Sequence, residues 1–511
     1  MYPGVHAAEE PERPALIMAG TGEVLTYGDL DRRSLRLANA LRAAGHGPGD
    51  VVALLASNTL EAFEVYWAAI RSGMYLCAVN WHLQPSEISY IINDSGASAL
   101  VVSADLRELA EGFREEIPKV RTRLCYGGSI SGFDDYENVI AEASDELPES
   151  QPRGIDMLYS SGTTGRPKGV KPALPDLQVD EPGDLLTELL RGCYGFGKET
   201  TYLSPAPVYH AAPLRYCAAV QAVGGTVVLM EKFDPEAALR AIERYRITHS
   251  QWVPTMFVRM LKLPEQVRNS YDLSSHRKAI HAAAPCPIDV KQAMIDWWGP
   301  ILYEYYASTE AIGMTMIDSE QWLRKRGSVG KPVLGTVRIC DDDGQELPPG
   351  QVGTVYFERD EITFEYHGDP EKTKESRHPE HPNWATVGDL GYVDEDGFLF
   401  LTDRKAFMII SGGVNIYPQE VENVLTMHPD VLDVAVIGVP DPEMGEAVKA
   451  VVQPMPGAQP GPELERKLIE YVRERIAHYK APRSVDFVTE LPRKPTGKLF
   501  KEKLKERYLK A

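Results

Sequence analysis

With 511 residues, 43% hydrophobic and 25% charged, the chain is too long for one core and has the composition of an ordinary globular protein of about two to four domains or subdomains. Its formal net charge of −20 excludes a general nucleic-acid or acidic-membrane partner, which calls for a basic footprint, so an anionic ligand must be met by local cations. Six cysteines without CxxC spacing read as reduced core residues, and no cationic start followed by an apolar stretch marks a signal peptide, so the cytoplasm is the expected location.

The first third alternates helix and strand. Thr26 and Asp29 suit the opening of a helix that carries Leu30, Leu37 and Leu41 and stops at Gly45. Val51 to Leu55, Tyr75 to Val79 and Ala99 to Val102 are apolar runs of strand length, with a helix over 59–72 between the first two. That alternation predicts a parallel sheet covered on both faces, with ligands at the loops beyond its strands. The run Met157-Leu158-Tyr159 leads into such a loop, Ser-Ser-Gly-Thr-Thr-Gly-Arg-Pro-Lys-Gly at 160–169. Gly162 and Gly165 let backbone approach an anion, Ser160, Ser161, Thr163 and Thr164 offer hydroxyls, and Arg166 and Lys168 supply charge. Pro167 stands where a Walker A loop needs its second glycine, so this is a polyphosphate cradle of another kind.

Residues 171–183, with three prolines and several acids, read as an exposed connector. A second strand and helix stretch follows, with strands over 226–230 and 250–253 and a helix over 235–245; Trp297 and Trp298 read as core. The window 211–230 is broken by Arg215, Gln221 and two glycines, which rules out a lipid-spanning helix. From about 327, short strands and turns predict an antiparallel barrel or sheet. The last segment has strands over 431–439 and 446–452 and a helix over 462–478 with Leu464, Leu468, Val472 and Ile476 on one side, enough for a small α+β domain.

Four further segments follow the phosphate loop in order: YEYYASTE at 303–310, TVGDLG at 386–391, DRKAFMIISGGVNIYP at 403–418 and PRKPTGKL at 492–499. Together the five closely resemble the signatures of the adenylate-forming superfamily of acyl-CoA synthetases, peptide-synthetase adenylation domains and luciferases. The resemblance spans essentially the whole chain. It implies an α/β fold: a large N-terminal domain, 1–403, made of parallel sheets with helices (about 1–326) plus a small β-barrel (about 327–403), and a small mobile α+β C-terminal domain, 404–511. It also implies a reaction. A carboxylate attacks the α-phosphate of ATP to give acyl-AMP and pyrophosphate, and a thiol then takes the acyl group. Because two anions must meet, positive charge at the reacting centre is the chief requirement.

Carried over by motif, Thr163, Thr164 and Lys168 hold the terminal phosphates together with Ser160, Ser161, Gly162 and Gly165, and Glu310 helps bind Mg2+. Tyr306 resembles the residue that stacks on adenine, flanked by Tyr305, Ala307 and Ser308, and Thr309 contacts the α-phosphate. Ala283, Ala284 and Pro285 match a segment lining the adenine and acyl sites. Asp389 would accept both ribose hydroxyls, Arg404 resembles the ribose-binding arginine, and Lys498 the lysine that bridges acyl carboxylate and α-phosphate. His210 matches a gate beside the acyl site. The hinge falls at Lys405-Ala406, Ser411, Gly412 and Gly413 would flank pantetheine, and Lys480 resembles a contact to CoA phosphate. Departures are Ala307 for the usual glycine, and Ala406 and Phe407 beside the hinge. Outside such motifs, a carboxylate in a turn or a lysine in a basic tail is usually just solvated.

These features imply an AMP-forming carboxylate:CoA ligase that uses ATP, Mg2+ and CoA, with a homodimer as one possible assembly. Clustered alanines at 211, 212 and 282–284 suggest room for a bulky, hydrophobic acid of the fatty, steroid-side-chain or terpenoid kind. The alternatives are an acyl-AMP ligase that loads a carrier protein and a nucleotide-binding regulatory subunit without catalysis. Arg404 runs to Gly412 without the insertion that fatty acyl-AMP ligases carry there, which favours CoA.

Overall fold

The computed structural model describes residues 1–160, 167–362, 364–404, 407–493 and 499–509; for Ser160, Asp403, Arg404 and Leu509 it describes the backbone alone. The chain divides into two compact units. One comprises 1–251, 269–278 and 363–373, and the other 252–268, 279–362 and 374–511.

The first unit contains the expected parallel sheet. Its six strands run in the order Asp134–Asp135, Thr122–Tyr126, Ala99–Ser103, Val51–Leu55, Tyr75–Ala78 and Ile155–Asp156, every neighbouring pair parallel. Val51, Ala53, Leu55, Leu100 and Val102 pack there against Ile88, Ile91 and Ile92 of helix Pro85–Asp94, which buries them on leaving the sheet. Helix Tyr27–Ala43 starts as predicted: the Thr26 side chain accepts a hydrogen bond from the Asp29 amide, and Leu30, Leu37 and Leu41 are buried. In the second sheet of this unit, Thr201–Ser204 lies between Thr226–Leu229 and His249–Trp252, parallel to both. Among the described residues no helix is long and apolar enough to cross a membrane; Ala211–Ala222 is instead a buried core helix.

One expectation for this unit is corrected. The run Met157–Tyr159 divides: Ile155–Asp156 ends the parallel sheet, while Leu158–Ser160 pairs antiparallel with Lys168–Pro172, which in turn pairs with Phe364–Tyr366. The hydroxyl- and glycine-rich stretch therefore follows a strand of a small antiparallel sheet and not a strand of the parallel one. The proline-rich connector is exposed at Ala173, Asp176 and 180–183 but is pinned at its middle. Val179 is fully buried and its amide donates to the Gln151 carbonyl, while the Arg153 amide donates to the Leu177 carbonyl.

Two buried histidines, His249 in the second sheet and His276 in the loop before strand Lys278–His281, give a pH prediction. His276 Nε2 lies 2.6 Å from Ser250 Oγ, and His249 Nε2 lies 3.0 Å from the Tyr194 carbonyl. Burial, the largest cause for each, holds His249 down to about 4 and His276 down to about 3, from an ordinary 6.5. The fold thus favours the neutral rings and the unfolded chain binds more protons, so their contribution is complete above pH 6.5 and is lost as pH falls toward 4 and then 3. Denaturant titrations should show midpoints falling already between pH about 6.5 and 5, where carboxylates are still ionised. The His276→Asn variant should show a shallower slope, and equal midpoints at both pH values would contradict this assignment.

In the second unit, Lys278–His281 and Leu302–Ala307 are parallel neighbours, followed by Met314–Asp318 and Lys331–Leu334 in antiparallel order. The strands expected after 327 form a five-stranded antiparallel sheet: Thr336–Cys340, Gly353–Glu358, Asp389–Val393 and Leu399–Arg404, with Trp384–Ala385 beside Gly353–Glu358. The C-terminal segment has a separate core, in which Val434, Val436, Ala450 and Val452 pack against helices Pro418–Thr426 and Pro462–Arg473. The latter helix ends at Arg473, earlier than its pattern suggests, and Ile476 is only partly buried. The tryptophan pair is not fully core either. Both are partly exposed; the Trp298 ring packs 5.6 Å from Trp252, and Trp297 takes the Arg268 guanidinium at 5.4 Å.

Candidate active site

In the second unit, three of the resemblance motifs meet. The next-to-last residue of strand Leu302–Ala307 is Tyr306, whose hydroxyl donates to Asp389 Oδ2 at 2.6 Å. Asp389 opens its own strand and is only 7% exposed, so this bond satisfies a carboxylate with little access to water. The register then sets Asp389 opposite Arg404 as Cα partners. Tyr306, Asp389 and the Arg404 backbone, named from three separate stretches of sequence, thus share one neighbourhood. Phe357 packs 6.0 Å from the Tyr306 ring. A Cβ on Gly313 would come within 2.0 Å of Phe357, which makes that glycine a packing requirement.

Of the motif residues after Tyr306, Ala307 is exposed, and Ser308, Thr309 and Glu310 are partly buried. Tyr305 is 8% exposed and belongs to the interior. Beyond strand Lys278–His281, Ala283 has φ of +75°, a left-handed conformation that costs a non-glycine residue about 1 kcal/mol or more. Ala283 and Pro285 are exposed and Ala284 is partly buried, so this strained turn presents its backbone outward.

In the first unit, Lys168 leaves the hydroxyl-rich stretch on strand Lys168–Pro172. Its ammonium pairs with Asp369 at 3.4 Å and lies 5.8 Å from the centre of the Tyr366 ring. Asp369 is held below the usual carboxylate range, first by the Lys372 amide. Just before the stretch, the Tyr159 hydroxyl donates to Asp94 Oδ2 at 2.6 Å and anchors the incoming strand. His210 sits at the N-cap of helix Ala211–Ala222 with its ring 4.4 Å from Tyr209, which in turn lies 6.3 Å from His82. Burial holds His82 below its ordinary value.

On the C-terminal segment, Ile409–Ser411 and Val414–Ile416 form a hairpin through Gly412 and Gly413, whose φ values are +58° and +78°. Two successive left-handed residues are what a two-residue primed turn demands, so both glycines have a conformational reason apart from any ligand. Ser411 is buried, and the Lys480 ammonium is paired with Glu420.

The predicted Ser161, Gly162, Thr163, Thr164, Gly165, Lys498 and the hinge pair Lys405-Ala406 lie outside the described residues, as do the side chains of Ser160 and Arg404. Sequence reasoning missed Phe357, Asp94 and Asp369. Only the alternation placing Asp369 ahead of a Pro-Glu helix start could have flagged the last of these. Among the described residues no three His, Cys, Asp or Glu side chains gather as a metal cage. Glu310 itself is a partly buried carboxylate.

Residues 5–367 match the family described as AMP-binding enzyme, and residues 420–498 match the AMP-binding enzyme C-terminal domain. The chain is 36% identical over 518 residues to a feruloyl-CoA synthase of Amycolatopsis sp, covering 99% of this chain and 98% of the relative. It is 32% identical over 514 residues to a fatty acid–(acyl-carrier-protein) ligase of Streptomyces coeruleorubidus, covering 98% and 95%. In structure it is similar to an anthranilate CoA ligase in complex with anthranoyl-AMP, with a TM-score of 0.86, 26% identity and coverage of 99% and 96%.

Proposed function

The chain belongs to the AMP-binding enzyme family, and on that premise we propose an ATP-dependent acid–thiol ligase that converts a carboxylic acid to acyl-AMP and then to its CoA thioester. The observation that carries this reading is the meeting of Tyr306, Asp389 and the Arg404 backbone, where two hydroxyls of a ribose can be received by a buried carboxylate.

In the first half-reaction the acid's oxygen bonds to the α-phosphorus and the bond to pyrophosphate breaks. In the second, a thiolate attacks the acyl carbon and AMP leaves. Ser160, Ser161, Gly162, Thr163, Thr164, Gly165 and Lys168 would cradle the terminal phosphates, with Lys168 exchanging Asp369 for an anion of higher charge. Thr309 would face the α-phosphate, and Lys498 would neutralise both anions at the reacting centre. Glu310 would hold Mg2+, which supplies charge neutralisation to the phosphates when bound. The domain boundary is placed at 403/404, supported by the separate core of the C-terminal segment and by a family match that resumes at 420. His210 and the alanines beside it favour a bulky hydrophobic acid; a carrier-protein thiol as acceptor is the second reading, favoured by the carrier-protein ligase among the relatives.

The deciding experiment is acid-dependent pyrophosphate release across fatty, aromatic, steroid and terpenoid acids, with CoA, with carrier protein and with neither. Release without any acid preference, or none at all, would end this reading. A narrower prediction concerns Tyr306→Phe. Removing the donor leaves Asp389 without its 2.6 Å partner, which should cost about 1–3 kcal/mol in chemical unfolding and raise the KM for ATP more than that for the acid. A shift in the acid's KM alone would move Tyr306 out of the nucleotide site.

A further inference from the structure

The second unit buries a trio of ionisable side chains that no step above uses. Lys291 and Glu304 are 0% and 5% exposed, and Lys291 Nζ donates to Glu304 Oε2 at 2.6 Å. The same ammonium lies 5.0 Å from the centre of the buried Trp322 ring, and His281 Nε2 stands 3.9 Å from the same Glu304 oxygen. Burial holds His281 well below its ordinary value, so the imidazole is neutral; burial also raises Glu304, and the Lys291 ammonium hydrogen-bonded to it acts in the opposite direction. Such a pair is a poor device for stability, because apolar side chains of similar volume commonly serve as well or better. Its place in the chain suggests another use.

Glu304 and His281 are register partners on the parallel strands Leu302–Ala307 and Lys278–His281. Each strand runs directly into a segment assigned to the nucleotide: Tyr306 comes two residues after Glu304, and Ala283 two residues after His281. Alternation puts Glu304 and Tyr306 on one face of their strand. Lys291 lies in the first turn of helix Ile288–Trp298, which begins shortly after Pro285. One contact therefore ties the helix that follows the left-handed Ala283 to the strand that carries Tyr306. A strained residue of this kind persists only where its surroundings over-determine it.

We propose that Lys291 and Glu304 are positioning residues for the adenylation half-reaction, their buried pair aligning the two strand ends so that the Ala283 turn and the Tyr306 hydroxyl meet the nucleotide together. This rests on the assignment of those two segments to ATP.

The test compares the full-length parent with Lys291→Met/Glu304→Gln, which removes both charges and leaves none stranded. Melting temperature and calorimetric ATP affinity are read first, without acid, and acid-dependent pyrophosphate exchange second. The expected result is a melting temperature equal to or above the parent's, an ATP Kd raised about tenfold or more, and a KM for the acid changed less than about twofold. Parental ATP affinity in the folded double variant would overturn the proposal and leave the pair a structural one. Should that variant fail to fold, Glu304→Asp decides by the same reading, since it keeps both charges and withdraws the carboxylate from its contact. A parent that binds ATP without acid-dependent exchange removes the ligase reading and leaves this comparison standing. A parent that does not bind ATP overturns both.

Discussion

Replacing Lys498 by alanine is expected to cut acid-dependent pyrophosphate exchange by about 10²- to 10³-fold while leaving thioester synthesis from supplied acyl-AMP within about threefold of the parent. The reasoning is electrostatic. The attacking carboxylate and the α-phosphate are both anionic, and their approach is opposed until a cation is shared between them. A donor that acts only as charge develops in the transition state contributes about 3–4 kcal/mol, which sets the scale of the loss. The second half-reaction starts from adenylate already formed, so the approach of carboxylate to α-phosphate that this ammonium relieves is past, and the charge on the thiolate and the departing AMP is left to other groups. The split between half-reactions separates this role from a general one, because a lysine that merely stabilised the C-terminal segment would depress both steps equally. Lys498→Arg is a second check: it keeps charge but changes its reach and geometry, and should recover only part of the rate. Undiminished exchange in Lys498→Ala would remove the residue from the mechanism.

What the sequence made readable follows from which forces are local. The apolar runs at 51–55, 75–79 and 99–102 could be assigned because a strand buried on both faces needs uninterrupted apolar residues, and each is a strand of the parallel sheet. The Thr26 cap was legible for the same reason, since its bond closes within three residues. The pairing of Leu158–Ser160 with Lys168–Pro172 was not, because a glycine- and hydroxyl-rich stretch is compatible with either a helix or a strand after it. Lys291 and Glu304 were hidden more deeply. A lysine in a helix and a glutamate in a strand ordinarily face water, and only their mutual contact across two elements makes burial tolerable. The site divides likewise: Tyr306, Asp389 and Arg404 could be named from short motifs, whereas Phe357 and Asp369 act through folding partners remote in sequence.

Gly413→Trp is expected to lower thioester formation by about 100-fold while acid-dependent pyrophosphate exchange stays within about threefold of the parent. Two demands meet at this residue and must be separated. Gly412 and Gly413 form the turn between Ile409–Ser411 and Val414–Ile416, and φ of +78° at Gly413 charges any other side chain about 1–2 kcal/mol. A Cβ there would meet nothing within 4 Å, so the penalty at that atom is conformational and not steric. The hairpin also carries exposed apolar side chains, Ile410 at 50% and Val414 at 44%, a surface suited to an extended, partly apolar thiol arm such as pantetheine. Asparagine tolerates left-handed backbone far better than tryptophan, so Gly413→Asn keeps the turn and adds little bulk. If the glycine serves the thiol, Asn should retain most thioester activity and Trp should lose it, with adenylation intact in both. If it serves only the turn, each variant should lose both half-reactions to the same degree, Trp more than Asn, in proportion to the backbone strain each introduces.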